Sequence, residues 1–155
     1  MKNFYINSRG KTAVIDFRNA FRRTFGEFLT LNKGKRKLGK IILLCIGSDK
    51  ATGDSLGPLI GYKLSKLPKK EYVQIYGTLR NPVHAVNLSN TIKEIYKKND
   101  NPIVIAIDAS LGKTEHIGYI NIGKGSIYPG AGVKKDLGSV GDIYITGIVN
   151  FNGFL

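Results

Sequence analysis

Cysteine and acidic residues are scarce in this chain of 155 residues, and long apolar runs are missing. The single Cys45 cannot form an internal disulfide, and no second cysteine exists to build a thiolate zinc site. No run of about 18 apolar residues occurs, and the N-terminus lacks the apolar segment of a secretory signal. We therefore expect a single domain in the reducing cytoplasm, without a membrane partner.

The shortage of acidic residues leaves a strongly basic chain. Only 11 Asp and Glu oppose 24 Lys and Arg, so the formal net charge is +13, and residues 1–40 carry +9 of it. Such an excess can bind nucleic acid. Aromatic stacking residues are not interleaved with the Lys-rich stretch NKGKRKLGK, however. This pattern favours a solvated basic loop, and we expect no nucleic-acid partner.

The chain divides into an N-terminal helix with a basic loop, residues 1–40, and an α/β part, residues 41–155. Residues 16–29 place four phenylalanines on one helical face, with Asp16 as a candidate N-cap. The spacing predicts that this face packs on the domain and that residues 33–40 are exposed.

Alternating strands and helices are predicted in the α/β part. The apolar runs IILLCI and IVIAI indicate strands buried on both faces, and they alternate with helical patterns. This order predicts a mostly parallel sheet with helices on both faces. The predicted strands cover residues 41–46, 73–78, 103–107, 119–122 and 143–149, and the predicted helices cover residues 55–67 and 84–98.

Polar residues follow three of these strands, where parallel sheets bind ligands. Asp54 follows the first strand, Asn81 and His84 follow the second, and Asp108 follows the third. Two carboxylates at one edge do not both ionise easily, so they could share a proton and activate a water molecule. A divalent metal held by Asp54, Asp108 and His84 is the other way to keep them together. The cofactor is therefore either none or a divalent metal.

A structural role remains open for several of these residues. Asp54 stands where a helix N-cap is expected, and a lone histidine such as His84 is more often structural than catalytic. The later glycine-rich segment contains Gly130 and Gly132 but matches neither the Walker pattern nor a dinucleotide fingerprint. Its glycines are expected to serve tight turns or close approach of the backbone.

Four segments between Cys45 and Asn150 resemble, in order, the YyaC family of sporulation proteins. They are CIGSDKATGDSLGPLIGYKL, TLRNPVHAVNL, IAIDASLG and SIYPGAGVKKDLGSVGDIYITGIVN. That family is similar to the germination protease, which degrades small acid-soluble spore proteins, and more remotely to hydrogenase maturation proteases. The resemblance implies a three-layer α/β/α fold of the phosphorylase/hydrolase kind.

The resemblance also implies a function. The acids thought to be catalytic in the germination protease match Asp54 and Asp108, and its P-G-x-G-V segment matches residues 129–133. We therefore expect a sporulation-associated peptidase of the cytoplasm, in the forespore or spore core, acting on a protein or peptide such as the small acid-soluble spore proteins. In this hypothesis Asp108 is the leading general base, or the carboxylate that holds the water, and Asp54 is its partner. The candidate binding residues of this site are His84, Asn81, Gly130 and Gly132. The alternative is a non-catalytic sporulation protein that binds a protein or peptide at the same site.

One departure from the relatives bears on packing. Relatives continue with a C-terminal helical segment that this chain lacks, so we expect a sheet face or edge to be exposed. The oligomeric state is left open by the sequence.

Overall fold

Six strands and three α-helices make up the fold in the computed structural model, which describes residues 3–129 and 138–152. Two short 3₁₀ turns, Thr52–Asp54 and Thr114–His116, lie between them. In chain order the elements are β1 (Phe4–Asn7), α1 (Ala13–Asn32), β2 (Ile41–Cys45), α2 (Leu56–Ser65), β3 (Val73–Tyr76), α3 (Leu88–Lys98), β4 (Ile103–Gly112), β5 (Tyr119–Lys124) and β6 (Ile143–Phe151).

All six strands form one sheet in the order β1-β5-β6-β4-β2-β3. Strands β6, β4, β2 and β3 are parallel, whereas β5 and β1 are antiparallel to their neighbours. The predicted α/β fold with a mostly parallel sheet is confirmed. The parallel strands place their carboxyl ends at one edge, which is where the polar loops predicted from the sequence lie.

The two faces of the sheet are covered by different helices, because side chains alternate along each strand. Leu44 and Ala106 lie on the face that packs against Leu88 and Ile95 of α3. The opposite face packs against α1 and α2. Phe28 of α1 is buried there, and Phe21 of α1 and Ile60 of α2 are half-buried. The buried strand residues of this face are Cys45, Ile103, Ile105, Ile107 and Ile143. This arrangement is the three-layer α/β/α fold that the resemblance implied.

The N-terminal quarter is part of this sheet and of its cover. Strand β1 pairs with β5, and α1 buries Ala20, Thr24 and Phe28, so the predicted packing of the phenylalanine face is confirmed. The helix begins at Ala13, three residues before the predicted start. Asp16 is therefore not the N-cap: its carboxylate accepts a 2.7 Å hydrogen bond from the Thr12 hydroxyl within the first turn.

Several boundaries also differ in the α/β part. Helix α3 begins at Leu88 and not at residue 84, because residues 84–87 form a separate hydrogen-bonded turn. Strand β4 runs to Gly112, five residues past its predicted end, because β6 continues to pair with it. None of the helices within residues 3–129 and 138–152 is long and apolar enough to cross a membrane.

A groove of about 710 Å³ remains open on the sheet face between α1 and α2. Its floor consists of strand residues, among them Leu43, Ile107 and Ile145. Parallel sheets are normally covered on both faces. The groove leaves part of this sheet face uncovered by α1 and α2.

Candidate functional site

Asp108 lies inside β4, just beyond the point where the pairing of β4 with β2 ends. Ile107 is the partner of Cys45, the last residue of β2, so Asp108 is the first β4 residue beyond that strand. Only 7% of Asp108 is exposed. Its Oδ1 accepts a 2.8 Å hydrogen bond from the Ala109 backbone N–H. A carboxylate so deeply buried, with one such bond, is costly to ionise.

The loop after β2 folds back on itself and brings Asp54 to the same edge. The backbone N–H of Ser48 donates to the Asp54 carbonyl oxygen at 2.8 Å. Gly47 has a φ of +149°, and a Cβ there would overlap that same carbonyl oxygen, so only glycine allows this close return. Asp54 ends a 3₁₀ turn that packs against β4.

Asp54 is not the N-cap of α2, which was the structural role that the sequence left open for it. Helix α2 begins at Leu56, and Ser55 occupies the N-cap position without a side-chain capping hydrogen bond. Asp54 is one residue too early to cap this helix. Its carboxylate therefore does not cap α2.

Burial raises the pKa of both carboxyl groups, and the charge of Asp54 adds to the effect on Asp108. Burial, and then the nearby charge of Asp54, raise the pKa of Asp108 to about 7. Burial also raises the pKa of Asp54, although the Ser48 N–H and the nearby His84 oppose that change. Two acids that resist ionising together tend to hold one proton between them near neutral pH.

His84 lies beside Asp54 because the loop after β3 is tied to the end of β2. Val83 forms a parallel bridge with Ile46, and its carbonyl oxygen accepts a 2.8 Å hydrogen bond from the Gly47 N–H. The Nδ1 of His84 accepts a 3.2 Å bond from the Val86 backbone N–H. This bond assigns the proton of the neutral ring to Nε2, which leaves an N–H that can donate.

Asn87 lies in the same polar loop, although Asn81 and not Asn87 was the asparagine predicted from the sequence to bind a ligand. Its Oδ1 accepts from the His84 backbone N–H at 2.8 Å, and its Nδ2 donates to the Pro82 carbonyl oxygen at 2.9 Å. The side chain thereby fixes the backbone that leads into His84. The spacing His-x-x-Asn before a helix could have indicated this role in the sequence, because Asn side chains commonly bind the backbone in turns.

The remaining candidate binding residues are Asn81, Gly130 and Gly132. Asn81 is exposed and closes a turn through its backbone, whose N–H donates to the Thr78 hydroxyl at 3.1 Å. Gly130 and Gly132 lie outside the described residues. Cys45 is fully buried, and burial raises the pKa of its thiol to about 12, so it is an unreactive core residue.

The metal hypothesis finds no complete ligand set in residues 3–129 and 138–152. Among these residues, no group of three or more His, Cys, Asp or Glu side chains is arranged to hold a metal ion. Asp54, Asp108 and His84 therefore do not form the three-ligand site that their order in the sequence left open.

The raised pKa of Asp108 predicts a specific dependence of stability on pH. The unfolded carboxyl titrates near its ordinary value of about 4. Between about pH 4 and 7 the folded state thus binds more protons, and the free energy of unfolding falls as pH rises through this window. We expect Asp108→Asn to remove roughly 2–3 kcal/mol of the difference in stability between pH 5 and pH 8.

Urea unfolding at the two pH values measures this difference. The exposed Asp49 of the same loop supplies the matched control, since Asp49→Asn makes the same chemical change in solvent. It should leave the pH dependence as in the unaltered protein. An Asp108→Asn variant with an unchanged pH dependence would contradict the raised pKa.

Known proteins resemble this chain along most of its length. The family described as "Protein of unknown function (DUF1256)" matches residues 6–155. The protein named "Uncharacterized protein YyaC" from Bacillus subtilis (strain 168) is 51% identical over 122 residues, which make up 78% of this chain and 59% of that protein. The chain therefore spans less than two thirds of the length of this relative. The family match covers nearly the whole chain, and the relative is a YyaC protein, as the motifs of this sequence indicated. The chain therefore belongs to the DUF1256 family of YyaC-like proteins.

Proposed function

We propose that this protein is a peptidase-type hydrolase that acts on a protein or peptide during spore formation or germination. The observation that carries the proposal is the burial of Asp108 beside Asp54 at one edge of the sheet, because burial, and then the nearby charge of Asp54, raise the pKa of Asp108 to about 7. A hydrolase needs one group to accept a proton from water and another to donate one. Near neutral pH this pair can supply both.

The geometry favours a division of roles between the two acids. Asp108 is the more buried acid, and its pKa is raised to about 7, so we assign the proton to Asp108. Asp54 is half-buried and is the better candidate for the ionised base. This assignment reverses the simplest hypothesis from the sequence, in which Asp108 was the leading base.

The reaction then follows from these protonation states. Asp54 takes a proton from a water molecule as the water oxygen bonds to the carbonyl carbon of the peptide. Protonated Asp108 donates its proton to the substrate, and the C–N bond breaks to leave a carboxylic acid and an amine. His84, whose backbone N–H is bound by Asn87, lies near enough to Asp54 for its charge to oppose the rise in the pKa of Asp54, so it favours the ionised base.

The resemblance between the family and the germination protease makes small acid-soluble spore proteins the first substrates to test. The purified protein is incubated with an extract of spore proteins at pH 6 to 8, with and without a chelator. New peptide termini are then identified by mass spectrometry. We expect cleavage at defined sites that persists in the chelator.

Two results would count against this proposal. Cleavage that stops in the chelator would assign the chemistry to a metal and not to the acid pair alone. Absence of new termini, in a preparation shown to be folded, would favour the alternative of a non-catalytic protein that binds a peptide at this edge.

A further inference from the structure

Strand β4 continues past the end of β2, its neighbour on one side. The last pair between the two strands is Cys45 with Ile107, whereas β4 itself runs on to Gly112. On its other side β4 stays paired with β6 as far as Gly112. Within residues 3–129 and 138–152, no strand pairs with residues 109–112 on the side of β2. Residues 109–112 therefore form an open edge of β4, which β6 holds extended.

The backbone groups of this open edge point alternately to β6 and away from it, as they do along any strand. The Ile107 carbonyl oxygen accepts a 2.7 Å hydrogen bond from the Ile46 N–H, which follows β2. The Gly112 carbonyl oxygen instead accepts a 2.8 Å bond from the Asn152 N–H, which follows β6. Leu111 therefore faces the same side as Ile107, and its N–H and C=O point to where β2 has ended.

The open edge begins at the two acids of the candidate site. Asp108 directly precedes it, and the Asp108 carboxylate accepts the 2.8 Å bond from the Ala109 N–H. Asp54 reaches the same place, because the 3₁₀ turn that it ends packs against β4. A chain paired with the open edge would therefore run directly past both carboxylates.

Space is available beside the open edge. Leu111 is 39% exposed, and Ala109 and Ser110 are half-buried. A Cβ on Gly53, in the 3₁₀ turn next to β4, would meet no atom of the described residues within 4 Å. The open edge also contains neither a charged residue nor a proline, which are common means of preventing an exposed strand from pairing. An extended chain therefore finds both room and hydrogen-bonding groups here.

We propose that the substrate of this site is an extended peptide segment that pairs with the open edge of β4 as an added strand, in line with β2. The inference rests on the proposed peptidase function and states how the peptide is recognised. Main-chain hydrogen bonds to the Leu111 N–H and C=O and to the Ala109 C=O align the peptide whatever its side chains. Three paired residues span about 10 Å, so the peptide bond at the end of the paired stretch lies at the two acids.

This mode of binding selects the class of substrate. A helix has its backbone groups already bonded within itself, so it offers none to the open edge. An unfolded or loop segment of a protein has them free. The outer strands β1 and β3 also have unpaired edges, but β1 lies three strands from β4 and β3 lies beyond β2. Of these three edges, only that of β4 begins at a candidate acid.

Amide hydrogen exchange, followed by NMR, tests the pairing without requiring catalysis. The probe is a synthetic library of random-sequence decapeptides, added to the Asp108→Asn variant, which keeps an oxygen acceptor for the Ala109 N–H. We expect exchange of the Leu111 amide to slow at least roughly tenfold as the library approaches saturation. Ser110 faces β6 and supplies the control, because its amide is already paired and its exchange should change little.

A variant and a modified substrate test the same contact during cleavage. Leu111→Pro deletes an N–H that does not pair with β6, so the fold should persist, as a thermal melt will show. Its kcat/KM for a decapeptide spanning a cleavage site from the spore extract should fall by about three- to tenfold, the effect of one hydrogen bond. The control Leu111→Ala keeps the N–H and should stay near the value of the unaltered protein.

Methylation of the amide nitrogens of that decapeptide, one at a time, uses the unaltered protein and does not depend on the folding of a variant. It should weaken cleavage at every second residue on one side of the cleaved bond, because only alternate N–H groups of an added strand face β4.

The outcomes separate this inference from the proposed function. Cleavage without alternation in the methylation series, and without protection of Leu111, would overturn the inference and leave the peptidase function in place. Protection of Leu111 by the library, in a protein that cleaves nothing, would support pairing at the open edge and remove the peptidase function. Protection of amides in β1 or β3 instead would move the peptide to an outer edge. A Leu111 amide already protected in dimers of the free protein would make the open edge a contact between copies, and either of these last two results overturns the inference.

Discussion

Asp108→Asn is expected to lower the rate of peptide cleavage by about two to four orders of magnitude, the usual loss when a positioned acid or base is removed. Asparagine is nearly isosteric, but it cannot hold the transferable proton that the raised pKa of Asp108 keeps near neutral pH. Asp54→Asn should produce a loss of similar size, because it removes the base. The double variant should lose little more than either single one, since groups that act in one step are not additive.

The control for both substitutions is Asp49→Asn, which is made in the exposed part of the same loop and should keep normal activity. Initial cleavage rates are compared with thermal melts of every variant. Asp108→Asn removes a buried acid that is costly to ionise at pH 8, so its lost activity should come with an undiminished melting temperature at that pH. Full activity in a folded double variant would eliminate the acid pair.

Phe28→Ala is expected to lower the free energy of unfolding by about 3–5 kcal/mol, the range for large-to-small changes of buried aromatic residues. Phe28 is buried in the layer between α1 and the sheet, where it contacts the same cluster as Ile103, Ile105 and Ile143. The Arg36 guanidinium lies over its ring at 5.8 Å from the centroid. Truncation would leave a cavity and remove that stacking partner.

The adjacent Leu29 provides the comparison for this loss. It is 38% exposed and lies on the outer side of the same helix turn, so Leu29→Ala should cost under about 1 kcal/mol. Urea unfolding of both variants gives the free energies. Equal losses in the two variants would show that α1 contributes through helix formation and not through burial on the sheet.

The buried parallel strands were predictable from local sequence, because both of their faces are covered and every residue is therefore apolar. The runs at residues 41–46 and 103–107 match the cores of β2 and β4. The candidate acids followed from the same reasoning, since polar residues after such runs lie at one edge of the sheet. Asp54 and Asp108 do lie close enough for one to affect the pKa of the other.

Strand β1 was missed for a physical reason. It contains four residues, of which only Ile6 is buried, and its partner β5 lies far along the chain. Such a segment has too little local pattern to indicate a strand, and pairing alone defines it. The extension of β4 through Asp108 was missed for the same reason, because it depends on pairing with β6 and not on local sequence.

Composition and periodicity by themselves determined the layers of this protein, its mostly parallel sheet and the edge where its two candidate acids lie. Only the tertiary structure decided their chemistry. The return of the loop at Gly47 places Asp54 one residue before the cap of α2, and burial in β4 raises the pKa of Asp108. The open groove was likewise decided in three dimensions, because the distance between α1 and α2 depends on where each helix packs on the sheet. The hydrophobic pattern determines which side of a helix or strand is buried. The pKa of a carboxyl group and the exposure of a sheet face depend on residues that are distant in the chain.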